Sequence, residues 1–201
     1  MKIYVSVFLI LFLQLISNLC FASDTNIFAN EKAVLGREIS LVTVMSNTTG
    51  RGGHSSLIIK STETVIFDPA GRVRSKLLKE KADVLYYIDQ NLEDFYLSVH
   101  ARKTHHVVKQ SLSVSDIIAN KALNLAKTNG PVAPALCTRS VSLLLRKLPT
   151  FGSVKVTYFP EKLMESFGKI EGVRTKKIFE YDEHDKQKTL IELEKKYGEK
   201  K

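Results

Sequence analysis

EISLVTVMSNTTGRGGHSSLIIKSTETVIFDPAG, residues 38–71, reads as three β-strands in a row. Glu38 to Met45 is rich in β-branched side chains, as is the run from His54 through Leu57, Ile58 and Ile59 to Lys60, and Thr64 to Asp68 makes the third. Asn47 to Gly53, with Gly50, Gly52 and Gly53, is the loop between the first two strands. Ser61 to Glu63 is the turn before the third, and Pro69-Ala70-Gly71 ends it with turn residues.

Beyond Arg72, Val84 to Ile88 suits a strand or a short buried helix, while Asp94 to Val99 and Val107-Val108 suggest two more strands. Ser113-Val-Ser-Asp116 is a helix start, followed by Ile117, Ile118, Ala122, Leu125 and Ala126 at helical spacing until Asn129-Gly130 stops it. After Pro131 to Pro134 comes the strongest helix, with Val141, Leu144, Leu145 and Leu148 in one stripe and Pro149 closing it. Val154 to Tyr158 suggests a strand, Pro160 to Phe167 a short helix, and residues 182–201 a charged helix or a disordered end. Strands and helices mix without βαβ alternation, and no linker or repeat divides them. The expectation is a single α+β domain, an antiparallel sheet with helices against one face.

Upstream, Met1-Lys2 leads an apolar run from Ile3 to Leu19 that ends at Cys20-Phe21-Ala22, the form of a signal peptide cleaved after Ala22. An uncleaved anchor is the alternative, since a run of this length just spans a bilayer. Removing residues 1–22 from the 201-residue chain leaves 179, a length suited to one domain at 23–201 with a charged tail from about 182. The chain carries a formal +9, of which the leader supplies only Lys2. The expected protein is therefore exported, periplasmic or secreted, with no stable transmembrane segment once the signal is cut. Its charge favours anionic surfaces such as wall polymers or headgroups, rather than nucleic acid, unless the lysines simply keep the domain soluble.

Of two cysteines, Cys20 lies in the leader, so Cys137 is left alone and cannot form an internal disulfide. It stands in the first turn of the long apolar helix, whose start Pro134 helps to fix. Unpaired N–H groups and the positive end of the helix dipole stabilise an anion there, so Cys137 reads either as a thiolate nucleophile or as a small hydrophobe buried under the stripe. His54, rigid at a strand start behind glycines that let a substrate come close, suits the base that such a nucleophile needs. Asp68 could orient the ring. A three-residue turn at Ser61 to Glu63 sets Asp68 opposite Ser56 and diagonal to His54, whereas a two-residue turn points it away, as a plain Asp-Pro turn former. His100, His105 and His106 lie among Arg102, Lys103 and Lys109, with no carboxylate or thiol at ligand spacing. They read as a solvated basic face, and no metal or cofactor is expected.

A strand beginning Gly53-His54-Ser-Ser-Leu-Ile-Ile, a strand ending Phe67-Asp68-Pro-Ala-Gly71, and far downstream Cys137 opening a hydrophobic helix resemble the circularly permuted NlpC-type papain-like superfamily, which includes lecithin:retinol acyltransferase-like proteins. Coverage runs roughly from Ile39 to Leu148. The resemblance implies a papain-like α+β fold with Cys137 as nucleophile, His54 as base and Asp68 as orienter. The chain departs from it at Asp68, where relatives commonly show another His or an amide, and at Ala135-Leu136, where many have a polar or aromatic residue. The function expected is an exported thiol-dependent hydrolase, a peptidase, amidase or acyltransferase, acting on cell-wall peptide amides or on lipid acyl esters. A non-catalytic binding module that holds an anionic partner on its basic surface is the alternative from another class.

Overall fold

The computed structural model describes residues 36–71, 73–181 and 186–199. The expected leader and the lead-in to residue 35 lie outside them. The strands are β1 (Glu38–Ser46), β2 (Gly52–Lys60), β3 (Thr64–Phe67), β4 (Lys79–Lys81), β5 (Val84–Tyr86), β6 (His105–Ser113) and β7 (Arg174–Ile178). They form one seven-stranded sheet in the order β4-β5-β3-β2-β1-β6-β7, antiparallel at every pair. The helices are α1 (Gln90–His100), α2 (Asp116–Lys127), α3 (Cys137–Arg146), α4 (Pro160–Phe167) and α5 (Lys186–Gly198). The fold class is α+β, as the mixture of elements implies.

Alternation along the central strands splits the apolar residues between two faces. Ile39 and Leu41 of β1 join Leu57 and Ile59 of β2 on the side covered by α2, α3 and α4. Val42, Val44 and Ile58 face the other side, covered by α1 and α5. Each fully buried Leu, Ile or Phe contributes about 2 kcal/mol of transfer free energy, so both layers are driven by the same term. Helices on both faces correct the expectation of one covered face. β1 shows why: its interior residues are buried on both sides, leaving no polar face for solvent.

Asp94 to Val99, expected as a strand, is helix. Asp89 caps α1, its carboxylate accepting the Leu92 N–H at 2.8 Å, and Leu92, Phe95 and Tyr96 turn into the core. Glu93 on the same helix is buried and paired with Lys60 at 3.0 Å and Lys109 at 2.5 Å. Val154 to Tyr158, also expected as a strand, has no regular structure. It lies along α3, where the Thr157 N–H donates to Ser142 Oγ at 3.3 Å. The charged tail forms α5, with Leu193 and Tyr197 buried and the Tyr197 ring 5.8 Å from Phe95, edge to face. Among the described residues, no helix is long and apolar enough to cross a membrane.

Candidate active site

The site forms where the sheet is ragged. β2 has nine residues and β3 only four, and their pairing ends at Leu57 with Phe67. Among the described residues, the earlier part of β2 therefore has no strand on that flank. Lys60 pairs with Thr64, the register of the three-residue turn, and one more step sets Asp68 opposite Ser56. Asp68 thus comes diagonal to His54, the first of the two alternatives left open by the sequence. Across the other edge of β2, Val44 pairs with His54 but Met45 with Gly52, leaving Gly53 as the extra residue of a bulge. Gly52 is needed for close approach, because a Cβ there would stand 2.3 Å from Pro160 Cβ at the start of α4.

His54 Nε2 lies 2.5 Å from Asp68 Oδ1. The Tyr96 hydroxyl stands 2.8 Å from the same oxygen and 2.8 Å from Ser56 Oγ. With one proton to give, Tyr96 donates to the carboxylate and receives the Ser56 hydroxyl. Cys137 lies near enough to the His54 ring for each to shift the other's ionisation, and with Nε2 committed to Asp68 the ring's remaining nitrogen is Nδ1. Cys137 is the first residue of α3 and half-buried, and its sulfur lies 3.8 Å from the Thr138 hydroxyl. Ser55 and Thr138 hydroxyls, 3.1 Å apart, tie the first turn of α3 to β2.

Three loops hold these groups in place. The helix starts at Cys137 rather than at Pro134, which lies in the turn before it, and Ala135 takes a left-handed φ of 67°. That conformation is strained for a residue with a Cβ. No side chain caps α3, so its first-turn N–H groups keep their anion-stabilising character beside the sulfur. On the other side, Asp83 accepts the Ala70 N–H at 3.1 Å and the Val132 N–H at 2.7 Å through one oxygen, while its carbonyl accepts the Asp68 N–H at 2.8 Å. One residue thereby ties the turn bearing Asp68 to the loop leading into Cys137. Gly71 closes the Asp68 turn, and a Cβ there would lie 1.8 Å from Asp68 Oδ2.

These contacts set the charges. Burial opposes the charge on His54, but the hydrogen bonds and charges of Asp68 and Cys137 outweigh it and raise its pKa to about 10. Burial likewise opposes the Cys137 thiolate, yet hydrogen bonding and charge from His54, then Ser55 N–H and Thr138, bring its pKa down to about 7. Burial would raise Asp68 too, but His54, His100 and Tyr96 hold it below the ordinary carboxylate range. As pH rises through about 7, the arrangement becomes a thiolate beside an imidazolium backed by a carboxylate.

Cys137, His54 and Asp68, all singled out from the sequence, are therefore brought together. His100 corrects the reading of a solvated basic face: at the end of α1 its ring packs 4.5 Å from Tyr96 and lies parallel to His54 at 5.8 Å. Its Nδ1 stands 2.9 Å from the Tyr96 carbonyl. Burial and the neighbouring His54 charge, set against the pull of Asp68, keep His100 below the usual histidine pKa, and so neutral. Among the described residues, His54, Asp68 and His100 make the one group of metal-type donors lying within 4.8 Å of one another. His106 stays apart, stacked on Phe179 and bonded to Asn47.

A cavity of about 320 Å³ adjoins His54 on the side away from the α3 face, walled by Val44, Val99, His100, Arg102, Leu190 and Leu193. Arg74 and His105 also line it, and among the described residues no carboxylate does. Compared with protein-family models, with curated proteins and with solved structures, the chain matches none of them.

Proposed function

We propose that this chain is an exported thiol-dependent hydrolase of amide or ester bonds, with Cys137 as nucleophile, His54 as its acid and base, and Asp68 orienting the ring. The observation that carries this reading is the His54–Asp68 pair, Nε2 2.5 Å from the carboxylate, set beside Cys137 so that ring and sulfur shift each other's ionisation. A structural cysteine needs neither the ring nor the carboxylate behind it. A lowered thiol pKa, half-exposure and a helix N-terminus are what a nucleophile requires.

In the proposed reaction, thiolate sulfur bonds to the carbonyl carbon, and the oxyanion is met by first-turn N–H groups of α3. Such donors are worth about 3 kcal/mol where measured. His54 Nδ1 then gives its proton to the leaving nitrogen or oxygen as the carbon–heteroatom bond breaks, leaving a thioester. Water, losing a proton to His54, displaces the thiol and completes hydrolysis. A permuted papain-like architecture of the NlpC type fits the order His54, Asp68, Cys137 on strand, strand and helix. Cell-wall peptide amides are the first substrate class, and lipid acyl groups the second.

Zymography on cell-wall material tests the reading, with Cys137→Ser as control. Clearing by the wild type that the substitution abolishes is the expected result; clearing that survives it rules out Cys137. A protein that binds wall material but clears nothing, with an inert thiol, is the binding module instead.

A further inference from the structure

We propose that His54, Asp68 and His100 form a Zn²⁺ site that borders the Cys137 centre. The three residues come from β2, the turn after β3 and the last turn of α1, and their donor atoms lie within 4.8 Å of one another. A tetrahedral zinc ion with bonds near 2.0–2.1 Å sets its donors about 3.4 Å apart. Closing this group around an ion means that His54 and Asp68 part from 2.5 Å and that His100 turns out of its parallel stack on His54.

The surroundings orient each donor as metal sites require. His100 Nδ1–H is held by the Tyr96 carbonyl at 2.9 Å, which fixes the tautomer and leaves Nε2 with its lone pair. The Tyr96 hydroxyl, 2.8 Å from Asp68 Oδ1, steadies the carboxylate. One residue thus braces two of the three donors. Both histidines also line the 320 Å³ cavity, so an ion reaches them from that side without passing the thiol. Two imidazoles and one carboxylate, with a fourth position open to that cavity, suit zinc over the oxygen-seeking Mg²⁺ and Ca²⁺. Cys137 is not among the donors.

The consequence for the thiol rests on the hydrolase reading above. An ion between His54 Nε2 and Asp68 occupies the position of their shared proton and parts the ring from its carboxylate. Bound zinc then slows the chemistry of Cys137 without touching sulfur.

The test is titration of the metal-free protein with Zn²⁺ against a chromophoric chelator, for wild type, His100→Ala, His100→Phe and Cys137→Ser. The phenyl ring preserves packing on Tyr96 while removing the donor nitrogen, along with the ring N–H to the Tyr96 carbonyl, which guards against simple misfolding in the alanine variant. One ion per wild-type chain is expected, with binding weakened at least tenfold in both His100 variants and unchanged in Cys137→Ser. Iodoacetamide labelling of Cys137 should slow with zinc in wild type and not in His100→Phe. No binding by wild type, binding by His100→Phe equal to wild type, or loss of the ion in Cys137→Ser would each overturn the site. A thiol that is inert even without metal would sink the hydrolase reading, while stoichiometric zinc lost in His100→Phe would still uphold this one.

Discussion

Tyr96 holds Asp68 from beneath: a fully buried phenol on α1 stands 2.8 Å from the carboxylate oxygen that also meets His54. The carboxylate is almost wholly removed from water, so its orientation depends on these two partners. Tyr96→Phe deletes one of them and leaves the Ser56 hydroxyl short of a partner as well. A loss of about 1–2 kcal/mol in stability follows from the unsatisfied buried groups. Denaturant unfolding measures it, and unchanged stability would mean that water replaces the phenol.

Titration of the thiol follows from the coupled charges. With Cys137 lowered to about 7, alkylation should rise through that pH instead of through the ordinary 9.0. Turnover should then hold until His54 loses its proton near 10. Asp68→Asn keeps a hydrogen-bonding group but removes the negative charge that favours the imidazolium, so the thiolate loses part of its support. A one-unit rise in the thiol midpoint cuts the thiolate fraction at pH 6 by about tenfold, and that is the expected drop in labelling rate. His54→Ala should slow labelling further. Rates against pH for the three proteins check this, and a common midpoint near 9 would show that neither residue acts on the sulfur.

Much of this arrangement was legible in the sequence because it rests on local rules. The β-branched runs gave β1 to β3, the Ser61 to Glu63 turn left two faces open for Asp68 that only the strand register decided, and the apolar stripe gave α3 with Cys137 at its start. Tyr96 and His100 were missed for one reason. Phe95, Tyr96, Leu97 and Val99 have strand-forming side chains, but Leu92, Phe95, Tyr96 and Val99 also fall at helical spacing behind the Asp89 cap. Helical period turns Tyr96 and His100 to the same face, four residues apart, toward the site. The two outer strands were hidden differently: Lys79–Lys81 and Arg174–Ile178 carry mostly charged side chains, as suits edges that must not pair with another chain. Val154 misled in the opposite sense, being buried as a single anchor in an irregular segment.

Away from the site, Glu93 offers a test of the sheet's buried charge. Burial would raise its pKa, but Lys109 and Lys60 outweigh that and hold it below the ordinary 4.5. A depressed carboxyl stabilises the fold above its unfolded pKa, and that contribution fades as pH falls through the folded value. Glu93→Gln should therefore cost about 2 kcal/mol at pH 7, less than a fully enclosed pair because both lysines still reach solvent. Unfolding curves at pH 7 and at pH 3 check the sign: the gap between variant and wild type must shrink on acidification.

Asp83 makes the last case, because it touches neither sulfur nor imidazole. Its carboxylate receives the N–H groups of Ala70 and Val132, from the loops that carry Asp68 and lead to Cys137. Asp83 itself sits at a left-handed φ of 61°, which asparagine tolerates well, so Asp83→Asn leaves the backbone in place. It exchanges a charged acceptor for a neutral one and weakens both bonds together. The two loops then lose their common anchor, and the chain from sulfur to carboxylate loses its fixed spacing. Labelling of Cys137 at pH 7 should slow by about three- to tenfold while the thermal midpoint falls only a few degrees, since each net hydrogen bond is worth about 1 kcal/mol. Equal labelling in the variant would show that the strand ends alone align the two loops.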